Sequence, residues 1–152
     1  MSTKNLTGQC QCGYVKYKVT GIPVTMFACH CKECQRQSSS AFGLALWVRS
    51  YKLKLITGSI NTWVRTTASD IEMACDFCPR CGSRLFHRLM SQTDIISMKP
   101  GTLDNADAYK PVGHIWMSRA HKWLKIDDNC LIYDTNPDTF DEMIEAWSRL
   151  EQ

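Results

Sequence analysis

Seven of the nine cysteines in this chain stand in three tight clusters: Cys10-Gln11-Cys12-Gly13, Cys29-His30-Cys31-Lys32-Glu33-Cys34 and Cys78-Pro79-Arg80-Cys81-Gly82. CxC and CxxC spacings place sulfurs around a common metal ion more readily than they supply bridges to remote partners. Four thiolates make a closed tetrahedral zinc site, which holds a fold together, whereas three leave a fourth position where chemistry can happen. Seven ligands are the count of one site of each kind. If the clusters hold ions, the fold must bring them together; the competing readings are a disulfide framework and buried apolar cysteines without metal.

The 152 residues suit a single domain, 1–152, able to bury a core of ordinary size. Eighteen Lys and Arg against fifteen Asp and Glu give a net charge of +3. The cations are scattered rather than massed in one run, so nucleic acid is not an expected partner and an anionic small molecule is the better match. No apolar run approaches the roughly 18 residues needed to span a bilayer. The start, Met1-Ser2-Thr3-Lys4-Asn5, has no apolar signal-peptide core. A cytoplasmic location is expected, and in that reducing compartment clustered cysteines read as metal ligands rather than disulfides.

Between the clusters, short segments alternate apolar and polar residues with β-branched and aromatic enrichment, the mark of half-buried strands. The pattern predicts strands at Tyr14–Val19, Val24–Ala28, Phe42–Val48, Leu53–Ile56, Ile60–Arg65, Ile71–Phe77, Arg84–His87, Asp94–Met98 and Gly113–Met117. Turns fall at Gly21-Ile22-Pro23, Thr57-Gly58-Ser59 and Lys99-Pro100-Gly101. The expected class is mainly β, an antiparallel meander, with one helix at the end over about 137–150. There Asn136 is placed to cap and Pro137 to open the helix. Phe140, Met143, Ile144, Trp147 and Leu150 form one apolar stripe, expected to dock on the sheet.

The Cys10/Cys12 and Cys78/Cys81 clusters both end in a Cys-Gly step, and glycine after the second cysteine permits the backbone of a zinc knuckle. Cys34 is followed by Gln35 instead. The two glycine-terminated knuckles therefore read as halves of one Cys₄ site, although spacing alone leaves the pairing open. Such an ion would fasten the N-terminal region to a turn 66 residues later (78 − 12) and make binding energy into folding energy.

Cys29, Cys31 and Cys34 can converge on a second ion if the chain bends sharply after a strand. Water, a substrate thiol, His30 or Cys75 are the candidates for its fourth position. Adjacent ligands strain the backbone, which counts against His30, and Cys75 reads as a core bystander. Three thiolates make zinc a weak acid and favour a soft fourth ligand, so an incoming thiol held as thiolate suits the site better than activated water. Lys32, Arg36, Arg80 and Arg84 lie close in sequence and could offset the thiolate charge, hold carboxylates of an anionic thiol, or simply be solvated. His114, Trp116, Trp47, Trp63 and Arg65 could line a pocket but suit a sheet face equally. His87 and His121 read as structural or exposed, and Cys130 as a buried thiol.

At these motifs the chain resembles the glutathione-dependent formaldehyde-activating enzyme (GFA) family, also called the centromere protein V domain family. The matching stretches are Gly8-Gln9-Cys10-Gln11-Cys12-Gly13-Tyr14-Val15, Cys29-His30-Cys31-Lys32-Glu33-Cys34-Gln35-Arg36 leading to Ala41-Phe42-Gly43, Phe77-Cys78-Pro79-Arg80-Cys81-Gly82, and Pro111-Val112-Gly113-His114-Ile115-Trp116. The shared core covers about residues 8–117. The resemblance implies a β-tent of antiparallel sheets, a structural zinc on Cys10, Cys12, Cys78 and Cys81, and a second, catalytic-type zinc on Cys29, Cys31 and Cys34. It also implies an S-hydroxymethylglutathione synthase-like activity, formally a carbon-sulfur lyase, with glutathione or a small thiol adduct as substrate. Cys75, the run Gln35-Arg36-Gln37-Ser38-Ser39-Ser40 and the segment from Trp123 onward depart from the family pattern. Two rivals to the enzyme are a zinc-stabilised binding or scaffold module, and a thiol sensor in which Cys75 enters the second site on oxidation.

Overall fold

The computed structural model describes residues 4–151. In chain order it contains β1 (Asn5–Gln9), β2 (Lys16–Thr20), β3 (Thr25–Cys29), α1 (Lys32–Ser38), β4 (Gly43–Arg49), β5 (Leu53–Thr57), β6 (Asn61–Thr66), β7 (Glu72–Phe77), β8 (Arg84–Leu89), β9 (Gln92–Met98), β10 (Gly113–Ile115), β11 (Leu131–Ile132) and α2 (Asp141–Leu150). The protein is mainly β, as its alternating segments predict. It divides into two compact units, residues 4–23 with 47–108 and residues 24–46 with 109–151, and one of the three boundaries falls within β4.

In the first unit, β1, β2 and β5 form a three-stranded antiparallel sheet, while β9, β8, β7 and β6 follow one another in an antiparallel ladder. Alternation decides what is buried: Tyr17 and Val19 of β2 point inward while Lys16 faces water. The Tyr17 ring meets Phe86 edge to face at 5.2 Å. Asp76 of β7 is buried and both of its side-chain oxygens are engaged. Arg88 Nε and Nη2 donate to it at 2.8 and 3.0 Å, and Thr62 Oγ1 at 2.7 Å.

In the second unit the strand order is β11, β10, β3, β4. All five residues of β3 are buried, which fits an unbroken Thr-Met-Phe-Ala-Cys run flanked by strands on both sides. The pairing of β10 with β3 and with β11 is parallel, which an antiparallel meander does not anticipate. Helix α2 packs on β3, with Met143 and Trp147, four residues apart, both buried, and Thr25 Oγ1 donates to the Met143 carbonyl at 2.9 Å. The docked helix expected from the apolar stripe is therefore present, but it starts at Asp141 and not at Pro137. Asn136 does not cap it: its Oδ1 accepts the Trp116 indole N–H at 2.9 Å instead.

Candidate metal centres

All nine cysteines are free thiols, so no disulfide framework is present. In the first unit two turns face each other. The turn after β1 carries Cys10 and Cys12 and closes with Gly13 N–H donating to the Cys10 carbonyl at 3.0 Å. The turn after β7 carries Cys78 and Cys81, with Gly82 N–H donating to the Cys78 carbonyl at 2.9 Å. Gly13 and Gly82 have φ of 78° and 76°, the left-handed conformation that the Cys-Gly steps suggest. The Cys10, Cys12, Cys78 and Cys81 sulfurs all lie within 4.8 Å of one another. Two sulfurs at about 2.3 Å from one tetrahedral ion stand about 3.8 Å apart. The Cys10–Cys12 and Cys12–Cys78 separations of 3.6 and 3.8 Å match that geometry.

Backbone N–H groups aim at these sulfurs, Val15 at Cys10 (3.2 Å) and Arg80 at Cys78 (3.4 Å), and such donors favour the thiolate. The Ser83 hydroxyl, 3.2 Å from Cys81 Sγ, together with the Ser83 backbone pushes the Cys81 thiol down to about 5. For Cys10, burial pushes up, but the Val15 N–H and the Cys78 and Cys12 thiols outweigh it and the net shift is downward. Arg80 stacks on Tyr14 at 3.8 Å.

In the second unit Cys29 ends β3 and is buried, Cys31 caps α1, and Cys34 lies in the first turn of that helix. Their sulfurs also lie within 4.8 Å of one another. Among the described residues no further thiol, imidazole or carboxylate joins either group. Cys31 Sγ accepts the Cys34 N–H at 3.4 Å. The Cys29 and Cys34 thiols, with the Cys34 and Glu33 N–H groups behind them, hold Cys31 far down against the effect of burial. The same contacts push Cys29 up, since Cys29 keeps the proton that Cys31 gives up. Gly43 lets the chain pass: a Cβ there would stand 3.1 Å from that of Cys34. Ser38 Oγ donates to the Cys34 carbonyl at 2.7 Å and lies 3.0 Å from that of Phe42.

Neither candidate for a fourth protein ligand joins this group. Cys75 is buried in β7, opposite Trp63 and His87 in register, with Sγ directed at the Met73 carbonyl. His30 is fully buried and its Nε2 lies 2.9 Å from His114 Nδ1. Burial, then the neighbouring His114 and His121, lowers His30 to about 4, so the ring is neutral. Arg84 donates to His87 Nε2 at 2.8 Å and lies over Trp63. Arg36 pairs with Glu33 at 3.3 Å. Cys130 is half-buried with Sγ towards the Pro111 carbonyl.

The sequence reading took His121 as structural or exposed and gave Trp123 no role. With Lys32, Gln35, Arg36 and Ala41 they border a cavity of about 640 Å³ on the flank of α1. No motif surrounds either residue, and the contact arises only because the chain after β10 returns to α1.

The family model for glutathione-dependent formaldehyde-activating enzyme matches residues 5–119, which takes in all seven clustered cysteines. The chain belongs to this family. Among solved structures it is similar to the crystal structure of a Rhodobacter sphaeroides protein from a structural genomics programme, with a TM-score of 0.53 and 20% identity over 69% of this chain and 96% of that one. That likeness speaks for the fold alone. No curated protein matches the chain. Both donor sets consist only of thiols, the soft ligands that zinc accepts, so both clusters could hold zinc.

Proposed function

We propose that this protein is a two-zinc, carbon-sulfur lyase-type enzyme acting on adducts of glutathione or another small thiol, in a reducing, cytoplasmic compartment. The observation that carries the reading is the Cys29/Cys31/Cys34 group, three converged sulfurs that no fourth protein donor completes among the described residues. Family membership supports the thiol and the aldehyde. Cys10, Cys12, Cys78 and Cys81 would hold the structural ion and Cys29, Cys31 and Cys34 the second. Bound in the second cluster, zinc supplies a soft Lewis acid that keeps an incoming thiol ionised near neutral pH.

The chain's own part is to fix the three donors. Cys29 is held by the β3–β10 ladder, where His30 N–H donates to the Ile115 carbonyl at 3.0 Å. Cys31 is held by the Cys34 N–H at the start of α1, and Cys34 by Ser38 bonding to its carbonyl. The reaction assigned is addition of the thiolate sulfur to the carbonyl carbon of a small aldehyde. The carbonyl π pair moves to oxygen, which takes up one proton in place of the one the thiol released. The product is a 1:1 hemithioacetal with no change in oxidation state, and the reverse reaction is the lyase.

Cobalt substitution tests this. Titrating glutathione into the cobalt-loaded protein should produce a saturable change in the thiolate-to-metal absorption, removed by Cys31→Ser. An unchanged spectrum up to millimolar glutathione or other small thiols would sink the enzyme reading and favour a zinc-stabilised binding module.

A further inference from the structure

Gln35 lies in the first turn of α1, and its side-chain amide is engaged on both atoms. Nε2 donates to the carbonyls of His30 (2.8 Å) and Arg119 (3.0 Å), while Oε1 lies 3.2 Å from His121 Nε2 and 3.5 Å from Lys32 Nζ. One amide thus ties the loop between Cys29 and Cys31 to the segment that carries His121 and Trp123. Trp123 is 71% exposed, and the His121 ring stands edge-on to it at 5.8 Å and 61°. An indole left this open beside a cavity offers a flat apolar wall that the fold does not use.

The space on this flank is a shallow depression open to solvent, and its volume, about 640 Å³, is enough for one small ring with its substituent. Lys32 and Arg36 stand on its border and no carboxylate lines it. Arg36 spends one nitrogen on Glu33 and is 76% exposed, which leaves the rest of its fork free for a ligand. Cations beside an exposed indole, an imidazole and Ala41 match a flat ring that carries a carboxylate, since the ring stacks while the carboxylate takes charge-assisted hydrogen bonds. The family match ends at residue 119, so His121 and Trp123 are contributed by the segment beyond it.

We propose that this cavity binds the aromatic carboxylate end of the ligand, with Trp123 as its stacking platform, Lys32 and Arg36 as its anion contacts, and Gln35 as the residue that positions His121 and Trp123 against α1. The identification of the ligand as an aromatic thiol acid rests on the thiol reading given above; the carboxylate cavity itself does not.

Calorimetric titration of the zinc-loaded protein with 2-mercaptobenzoate, benzoate and cyclohexanecarboxylate tests both parts. Benzoate should bind more tightly than cyclohexanecarboxylate, and 2-mercaptobenzoate more tightly than benzoate. Trp123→Ala should weaken both aromatic ligands about tenfold, the scale of one lost aromatic contact, with zinc content unchanged. Arg36→Gln should weaken all three acids, and Gln35→Leu, which frees His121 and the Arg119 carbonyl from α1 while leaving Trp123 in place, should weaken both aromatic ligands. Equal affinity of Trp123→Ala and the parent protein for benzoate, or no preference for the aromatic acid, would overturn the cavity assignment. If cobalt spectra respond to thiols while Trp123→Ala has no effect on binding, the cavity proposal falls and the thiol reading stands. If benzoate binding depends on Trp123 while no thiol alters the cobalt spectrum, the cavity stands and the thiol reading falls.

Discussion

Gly8 leaves no room for a side chain. A Cβ there would collide with the Tyr17 phenol and stand 2.6 Å from the Thr102 carbonyl oxygen. Tyr17 is buried, and its hydroxyl is 2.7 Å from Thr102 Oγ1, which itself donates to the Lys99 carbonyl. Gly8→Ala must therefore displace a buried ring or backbone and should cost about 1–3 kcal/mol, read as a lower urea midpoint at unchanged slope. His87 sets a pH limit of a different kind. Burial first, then Lys99, Arg84 and Arg65, depress its folded value to about 2, whereas an unfolded histidine titrates near 6.5. Below pH 6.5 the unfolded chain gains a proton that the folded chain refuses, so this contribution to stability is complete above that pH. It is lost as the pH falls, by up to about 1.4 kcal/mol per unit. Denaturation midpoints between pH 7 and 5.5 should fall more steeply for the parent protein than for His87→Gln. Parallel slopes would show that His87 is not held neutral. Nothing around His87 in the sequence announces this, because its cationic neighbours come from β6, β8 and the turn after β9.

A strand with alternating burial, such as β2, was legible in the sequence because one face is wet and the period shows. Three elements without such a contrast were not. β1 buries only Gly8 of its five residues, β11 is two residues long, and α1 has no buried residue at all, so no periodicity marks it. The parallel ladder on β10 is equally silent, since pairing direction depends on where the chain returns from. The apolar face of α2 was legible and its first turn was not, because Asn136 is taken by the Trp116 indole. Trp147 carries the docking of α2 with one defect: its indole N–H is buried with no hydrogen-bond partner among the described residues. Trp147→Ala should lose about 3–5 kcal/mol through the cavity it leaves. Trp147→Phe loses area too, but removes a buried donor whose unsatisfied state costs about 1–3 kcal/mol. Thermal or urea unfolding should place the Phe variant much nearer to the parent than to the Ala variant. Equal losses would mean that the indole nitrogen is satisfied in solution.

Each of the two units is built from two separate stretches of chain, and each contains one thiol cluster, but the clusters bear differently on the connectivity. Cys29, Cys31 and Cys34 span a loop and one helical turn, so an ion among them closes almost no chain. Cys12 and Cys78 are 66 residues apart, and a cross-link across a loop of that length removes about 4 kcal/mol of unfolded-state entropy. Structural zinc binding itself is worth about 10 kcal/mol or more. Against a total stability of about 5–15 kcal/mol, the first cluster can decide whether the domain folds, and the second cannot through chain closure. The Cys-Gly steps made the grouping of four and three cysteines legible, since a knuckle is a local device. The cavity beside α1 was not legible, because His121 meets Gln35 across 86 residues. Metal analysis and circular dichroism on two variants check the division. Cys31→Ser should lose about one zinc equivalent and keep its near-ultraviolet spectrum, whereas Cys81→Ser should lose cooperative unfolding together with its metal. Equal collapse of both variants would mean that the three-cysteine cluster also carries folding energy, and would overturn the division of labour between the two clusters.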